Sequence, residues 1–374
     1  MREGASAAAQ LPMHVLHVTP TSYSRSGVIG GGERLALYLD QALRRAAEEA
    51  EIPLTTALLT LDEAAARGSV LDRYQAVPGR AWDPHSVAAQ DLIPRLRRAD
   101  VVYVHQCLTE VGLFAAAHAR LLRKRVYGSD AGAGEAGLLQ ANPDIAKVYD
   151  AVHALSVFAA SAFTGLPVPV HVVTGPVDTD AYRPPADPSR RDRRVAVSVG
   201  RLLPHKGHER TIRALPAGMS LDIVGQPYDA EYAAFLRDCA AGKDVRFHAG
   251  LDDAAVKGLL DRAGVFVHAS THFDHRGRFA HKSELLGLAP LEALSTGLTT
   301  LVSDAGSLPE LGALPGCHVF RSEAELAGLL GAVLEGRLAH VAPEAMHAAV
   351  VREYGLVSAG TGLLRMMEVL PRCG

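Results

Sequence analysis

The chain has only four cysteines, Cys107, Cys239, Cys317 and Cys373, and no C-x-x-C pair. A set so scattered builds no disulfide framework in a chain of this length. Reduced thiols in a cytoplasmic protein are expected. Long apolar runs are also missing: none approaches the ~18 residues that a membrane-spanning helix requires. Residues 1–12, MREGASAAAQLP, lack an apolar h-region and read as a loose tail, not a secretion signal. Nor does charge of one sign dominate. The formal net charge of −3 supplies no whole-protein reason to bind nucleic acid or an anionic membrane.

What is present is a globular composition, 48% hydrophobic and 21% charged, over 374 residues. That length favours two domains over one core. Short β-branched runs alternate with helical patterns. MHVLHVT (13–19), PLTTALLT (53–60), DVVYVH (100–105), RVYGSD (125–130) and VPVHVVTG (168–175) read as strands. GERLALYLDQALRRAAEEA (32–50) reads as an amphipathic helix, and the helical pattern around residues 85–99 is expected to break or kink at Pro94. Residues 182–194 hold three prolines and a run of charge and read as a linker. The alternation then restarts with RVAVSVG, SLDIVG, DVRFHAG, GVFVHAS and TTLVSD, and a last helix is expected over 356–370. The expected division is a first α/β domain over 13–181, the linker over 182–194, a second over 195–352, and a returning segment over 353–374. Parallel sheets of this kind bind ligands beyond the carboxyl ends of their strands.

The unusual residues sit at those ends. Arg201 and Lys206 follow the strand RVAVSVG, and two cations there suit an anion: arginine grips phosphate in bidentate fashion and lysine acts as a point charge. A solvated loop is the plainer account. SELLGLAPLEALSTG (283–297) carries Glu284 and Glu292. Gly287 and the pre-proline Ala289 disfavour helix, while Pro290 suits a first turn. Glu284 is therefore expected in the loop and Glu292 in the first helical turn. The backbone N–H groups near Leu286, Gly287 and Leu288 would then offer an anion site. Alternatively, Glu292 merely complements the helix dipole and Glu284 is a solvated charge. In the first half Gly30, Gly31 and Gly32 either permit close approach to a ligand or form a flexible connector. His105 ends a strand, in a catalytic or a structural role. Asp130 ends the next strand, ahead of a glycine-rich loop opening at Gly132 that is read as an acceptor-side loop, with Gln106 beside it.

Together these residues resemble the family-4 retaining glycosyltransferases of GT-B fold, over nearly the whole chain and most strongly from about Gly200 to Glu310. GRLLPHKG (200–207) matches their G-R-L…K-G signature, ELLGLAPLEALSTG (284–297) their Glu-x7-Glu element, and AGSLPEL (305–311) loosely a G-G…P-E turn. SVFAASAF and VVTGPVDTDAYRP resemble the end of their first domain. The resemblance implies two Rossmann-like domains facing each other across a cleft, the final helix crossing back to the first. It implies that Arg201 and Lys206, next to Gly200, bind a donor diphosphate. Glu284 would contact the sugar, the backbone at Leu286–Leu288 its hydroxyls and phosphate, and Glu292 the ribose. Backbone around His248, Gly250 and Leu251 would hold the base. Gly31 and Gly32 would close over the phosphate, and His105 would face the reacting sugar. The implied co-substrate is a nucleotide-sugar, a UDP-sugar first, with no metal and no cofactor. The acceptor is expected to be a small soluble molecule, in natural-product or cell-surface glycoside synthesis. Two departures stand out: Leu285 and Leu286 replace the usual Gly and Phe, and an extra stretch, THFDHRGRFAHK (271–282), precedes Glu284.

Other readings compete. GAGEAG (132–137) fits G-x-G-x-x-G but falls in mid-domain. DTD (178–180) resembles a metal motif of another transferase fold. His268, His272, His275 and His281 lack regular ligand spacing for zinc. An epimerase or phosphorylase of related architecture is one alternative, and a non-catalytic sugar-nucleotide-binding subunit another. RLRR (95–98) and RLLRKR (120–125) are exposed helix faces or, less simply, a peripheral membrane contact.

Overall fold

The computed structural model describes residues 12–19, 31–61, 74–77, 89–132, 139 and 141–371. Gly30, the expected tail up to residue 11, and residues 133–137 of the GAGEAG stretch lie outside the described residues.

Seven parallel strands form the first sheet: β1 Met13–Thr19, β2 Leu54–Leu61, β3 Tyr74–Val77, β4 Val101–His105, β5 Arg125–Ser129, β6 Ala151–Ala154 and β7 Val170–Val172. Their order is β3-β2-β1-β4-β5-β6-β7. Six more form the second: β8 Asp192–Val199, β9 Ser220–Val224, β10 Val245–His248, β11 Ala263–His268, β12 Thr300–Ser303 and β13 Cys317–Phe320, in order β10-β9-β8-β11-β12-β13. β4, VVYVH, is buried along its whole length, as a central parallel strand covered on both faces should be. The strand order reverses between β1 and β4 in one sheet and between β8 and β11 in the other. A crevice opens at each reversal, outside the carboxyl ends of the strands.

This is the two-domain GT-B arrangement expected from the sequence. Three strands were not read from the sequence: β3, β6 and β13, of four residues each. Of the break or kink expected at Pro94 there is no break: the helix Ala89–Arg98 runs through it. Pro94 lies on the exposed face, where solvent serves the carbonyl that loses its donor. β8 begins at Asp192, inside the stretch read as linker.

The chain crosses between domains twice, side by side. Val177 forms a parallel bridge with Gly355, and its N–H donates to the Tyr354 carbonyl at 2.8 Å. The helix Leu356–Met366 then packs along Gly31–Glu49 of the first domain, burying Leu356 and Ala359 against Tyr38 and Ala42. The crossing is tight at Gly360, where a Cβ would stand 2.0 Å from the Ala42 carbonyl oxygen.

A second seam is made by Leu285 and Leu286, each less than a tenth exposed. Both precede a second-domain helix, yet Leu285 packs into a cluster otherwise of the first domain, and Leu286 into one shared by the two domains. Leu286 joins Leu155 and Val177; Leu285 joins Leu139 and Ala159. A Cβ on Gly175 would lie 2.4 Å from the Leu286 side chain. Burying each leucine contributes on the order of 2 kcal/mol to domain association. The departure from Gly-Phe is thus spent on the seam between domains. Ser156 adds a hydrogen bond to the Leu285 carbonyl at 2.7 Å, and the Glu310 carboxylate accepts the N–H groups of Val157 and Phe158 at 3.0 and 2.8 Å.

Gly360→Val should force the returning helix off its partner, because backbone oxygen cannot yield as a side chain can. The expected result is a lowered, broadened thermal transition by circular dichroism. An unchanged melting temperature would show that this helix contributes little to domain association.

Candidate functional site

Between the domains lies a cavity of about 770 Å³, large enough for a drug-sized ligand. Its walls come from both crevices. Gly200 and Arg201 follow β8, Gly225 follows β9, and His268 ends β11; Gly31 and Gly32 open the first helix, and Gly132 follows β5.

Glu284 is the electrostatic centre. Its Oε2 accepts hydrogen bonds from Lys206 Nζ at 2.8 Å, His268 Nε2 at 2.6 Å and Ser270 Oγ at 3.3 Å. Burial by itself would raise its pKa. The Lys206 ammonium and the His268 hydrogen bond outweigh that and hold the carboxyl well below the usual range. A buried ion pair is costly to desolvate and contributes little net stability. Its placement in a cavity wall points to binding, not to support of the fold.

Arg201 differs from the other cavity cations. Lys206 is held by Glu284, Lys282 by Asp130 at 2.7 Å, and Arg34 by Asp253 and Glu292. Among the described residues Arg201 makes no ion pair. Its exposed guanidinium lies 6.0 Å from the centroid of the Tyr228 ring, which also lines the cavity. It is available to a ligand anion.

The helix after Glu284 runs Leu288–Ser295, begins at a left-handed Gly287 (φ 80°), and carries no side-chain cap. Its first N–H groups therefore open toward the cavity without a capping side chain, at the positive end of the helix dipole. Pro290 occupies the third helical position, not the first, and the first α-type bond runs from Leu291 N–H to the Gly287 carbonyl. Proline is tolerated there because that N–H has no intrahelical partner. Glu292 consequently falls just past the first turn. It is 6% exposed, and burial pushes its pKa up to about 7, with Arg34 pulling it down and Asp253 pushing it further up.

Most of the residues expected to hold a donor meet here. Gly31, Gly32, Gly200, Arg201, Lys206, Gly250, Leu251, Glu284, Leu286, Gly287, Leu288 and Glu292 line the one cavity. His248 does not. Its imidazole turns to Asp222 at 2.8 Å, and its carbonyl accepts the Gly225 N–H. His105 is also outside the wall. It is 1% exposed, its Nε2 lies 3.1 Å from His17 Nδ1, and burial drives its pKa well down. It stands here as a buried neutral ring that is not among the described residues lining the cavity. Gln106 and Asp130 stand behind the wall: Gln106 Oε1 accepts the Ala131 N–H at 3.2 Å and Asp130 holds Lys282. Gly132 does reach the cavity.

Sequence reasoning missed Arg34, Tyr182, Asp253 and Lys282, and saw His268 only as a zinc candidate. His268 carried the same signal as His105, a histidine closing an apolar strand. The other three histidines of that set have separate partners. His272 Nε2 accepts the Gly306 N–H at 3.1 Å, His275 stacks on Phe235, and His281 meets the edge of Phe279.

Residues 184–313 match the family model described as "Glycosyl transferases group 1". That match lies in the second domain and its approach from the chain crossing, and it is what this part of the chain is similar to. A GDP-mannose-dependent alpha-(1-6)-phosphatidylinositol monomannoside mannosyltransferase of Mycobacterium tuberculosis is 31% identical over 152 residues, covering 36% of this chain and 38% of the relative. The lipopolysaccharide core biosynthesis mannosyltransferase LpsB of Rhizobium meliloti is 27% identical over 173 residues, 42% of this chain and 47% of the relative. The chain thus spans less than half the length of these curated relatives. The solved structure of Anabaena HepE with UDP and glucose superposes at TM-score 0.73, with 16% identity, over 96% of this chain and all of that one. Sucrose-phosphate synthase from Thermosynechococcus elongatus gives 0.71 at 14% identity over 96% and 98%. Both establish the GT-B fold. Among the described residues no helix is long and apolar enough to cross a membrane.

Several imidazoles in and behind the site are held neutral by burial. His205 in the cavity wall is pushed down to about 4 and His208 to about 3, with His17 and His153 at about 4 in the first domain. Unfolding lets each bind a proton near its ordinary value of about 6.5. Their stabilising contribution is therefore complete above about pH 6.5 and is lost as the pH falls from there toward the folded values. The melting temperature should drop steeply between about pH 6.5 and pH 4, ahead of ordinary carboxylate titration. A flat melting temperature down to about pH 5 would contradict the neutral assignments.

Proposed function

We propose that the protein is a retaining, family-4-type glycosyltransferase whose donor is a nucleoside-diphosphate sugar. The observation that carries this reading is the single cavity in which unpaired Arg201, the Lys206–Glu284 pair, the uncapped helix start and Glu292 converge. The group 1 match over residues 184–313 supports it, as do the sugar-transferring relatives.

The parts divide by chemistry. Arg201 and the N–H groups at Gly287–Leu288 bind the diphosphate, and Lys206 stabilises charge on the leaving phosphate. Glu284, kept ionised, accepts hydrogen bonds from donor-sugar hydroxyls, and Glu292 accepts those of the ribose. Gly250 and Leu251 lie where the base would rest. The bond from the anomeric carbon to the phosphate oxygen breaks as the acceptor oxygen bonds on the same face, and the acceptor proton passes to the departing phosphate. No resident metal or cofactor enters this scheme. The acceptor is a small molecule entering from the side of Gly132 and Lys282. UDP-sugars are the first donors to test, and the relatives' GDP-mannose the second.

A thermal-shift screen with UDP, GDP, ADP and dTDP sugars should raise the melting temperature with one base class, since a ligand that binds only the folded state stabilises it. Glu284→Gln and Lys206→Ala should each lower transfer at least about 100-fold, as loss of a charge-stabilising group does. Both should keep a cooperative melting transition. Near-normal turnover in both variants would remove the mechanism.

A further inference from the structure

Arg34 lies in the first turn of the helix Gly31–Glu49, on the first domain. Among the described residues its guanidinium reaches Asp253 and Glu292 across the cleft and Tyr182 on the chain crossing, with Tyr38 of its own helix beside it. Nη2 reaches Asp253 Oδ1 at 2.5 Å, and Nη1 reaches Glu292 Oε1 at 3.4 Å and donates to the Tyr182 hydroxyl at 3.0 Å. The Arg34 and Glu292 side chains are 16% and 8% exposed, so solvent and salt screen this pair far less than a surface bridge. All four residues line the cavity.

The groups facing Glu292 decide what Arg34 does. Arg34 and Tyr38 face it from the first helix, Tyr182 from the chain crossing, and Asp253 from the helix Asp253–Arg262. Tyr182 and Tyr38 are phenols whose pKa burial raises further. Asp253 repels the charged form of Glu292, and burial opposes it more strongly. Among the described residues Arg34 is the only cation in the set. The cleft-spanning ties of Ser156 to the Leu285 carbonyl and of Glu310 to Val157 touch no atom expected to meet a ligand, and that of Lys282 to Asp130 lies on the acceptor side.

We propose that Arg34 is a positioning residue that couples donor binding to domain closure. It holds the Glu292 carboxylate ionised and aimed for the ribose hydroxyls, and through the same carboxylate it ties the donor-binding domain to the first domain. This rests on the donor reading above. An ionised carboxylate accepts from two vicinal hydroxyls, whereas the protonated acid spends one oxygen as a donor. Donor affinity should then be full above the Glu292 pKa and fall as the pH drops through it. Without Arg34 burial and Asp253 act unopposed by a cation, and that inflection moves up.

The test compares wild type, Arg34→Ala and Arg34→Lys. UDP-glucose and GDP-mannose are titrated calorimetrically between about pH 6 and pH 9, and unliganded protein is measured by small-angle X-ray scattering. Wild-type affinity for the sugar that binds should level off above about pH 7. In Arg34→Ala the levelling point should move up by at least about one pH unit, a loss of about fivefold or more at about pH 7 that narrows toward pH 9. Arg34→Lys, keeping the charge, should restore the wild-type inflection. Unliganded Arg34→Ala should show a larger radius of gyration. An Arg34→Ala profile parallel to wild type at every pH would overturn the ionisation role, and an unchanged radius of gyration the closure role. If wild type binds neither sugar, the donor reading falls. The scattering comparison then decides the tie alone, expansion upholding it and no change overturning it.

Discussion

A carboxylate buried between two domains must have partners, and Glu284 sets the terms for much of this molecule. Its Oε2 draws Lys206 from the loop after β8 and His268 from the end of β11. Those are the two strands that flank the switch point of the second sheet. The ion pair therefore ties the two sides of the crevice together in the wall where a ligand would lie. Desolvation of such a pair consumes most of its Coulombic gain. The residue is accordingly better understood as prepared for a partner than as cement.

The residues immediately after Glu284 do the mechanical work. Leu285 and Leu286 leave the loop in the direction of the first domain and bury there, and Gly287 turns left-handed so that the helix can start. One stretch of chain thus supplies a charge, an inter-domain plug and an uncapped helix terminus in succession. A substitution at either leucine would alter closure and the cavity wall together. The inserted stretch at 271–282 joins in through Lys282, whose pairing with Asp130 gives the cleft another polar tie.

Much of the site was legible because its residues are clustered in sequence at the carboxyl ends of recognisable strands. Gly200, Arg201 and Lys206 stand together just after the strand RVAVSVG, and Glu284 through Glu292 stand together around Gly287 and Pro290, whose turn chemistry places them. The first-domain half was less legible. His105 closes its strand as His268 does, and nothing in the local pattern separates the buried ring from the one that reaches Glu284. Arg34 looked like an ordinary basic residue of an amphipathic helix. Its partners are 148, 219 and 258 positions away in the chain, so no local spacing could reveal them.

The amino-acid sequence by itself determined the two α/β halves, the returning final helix, and the cations and carboxylates of the second-domain crevice. Periodicity and turn chemistry act over a few residues, and so do those features. Only the tertiary structure decided which charges remain unpaired, which histidines are sealed neutral, and which side chains span the cleft. Those properties depend on desolvation and on neighbours brought from distant segments, which packing alone supplies.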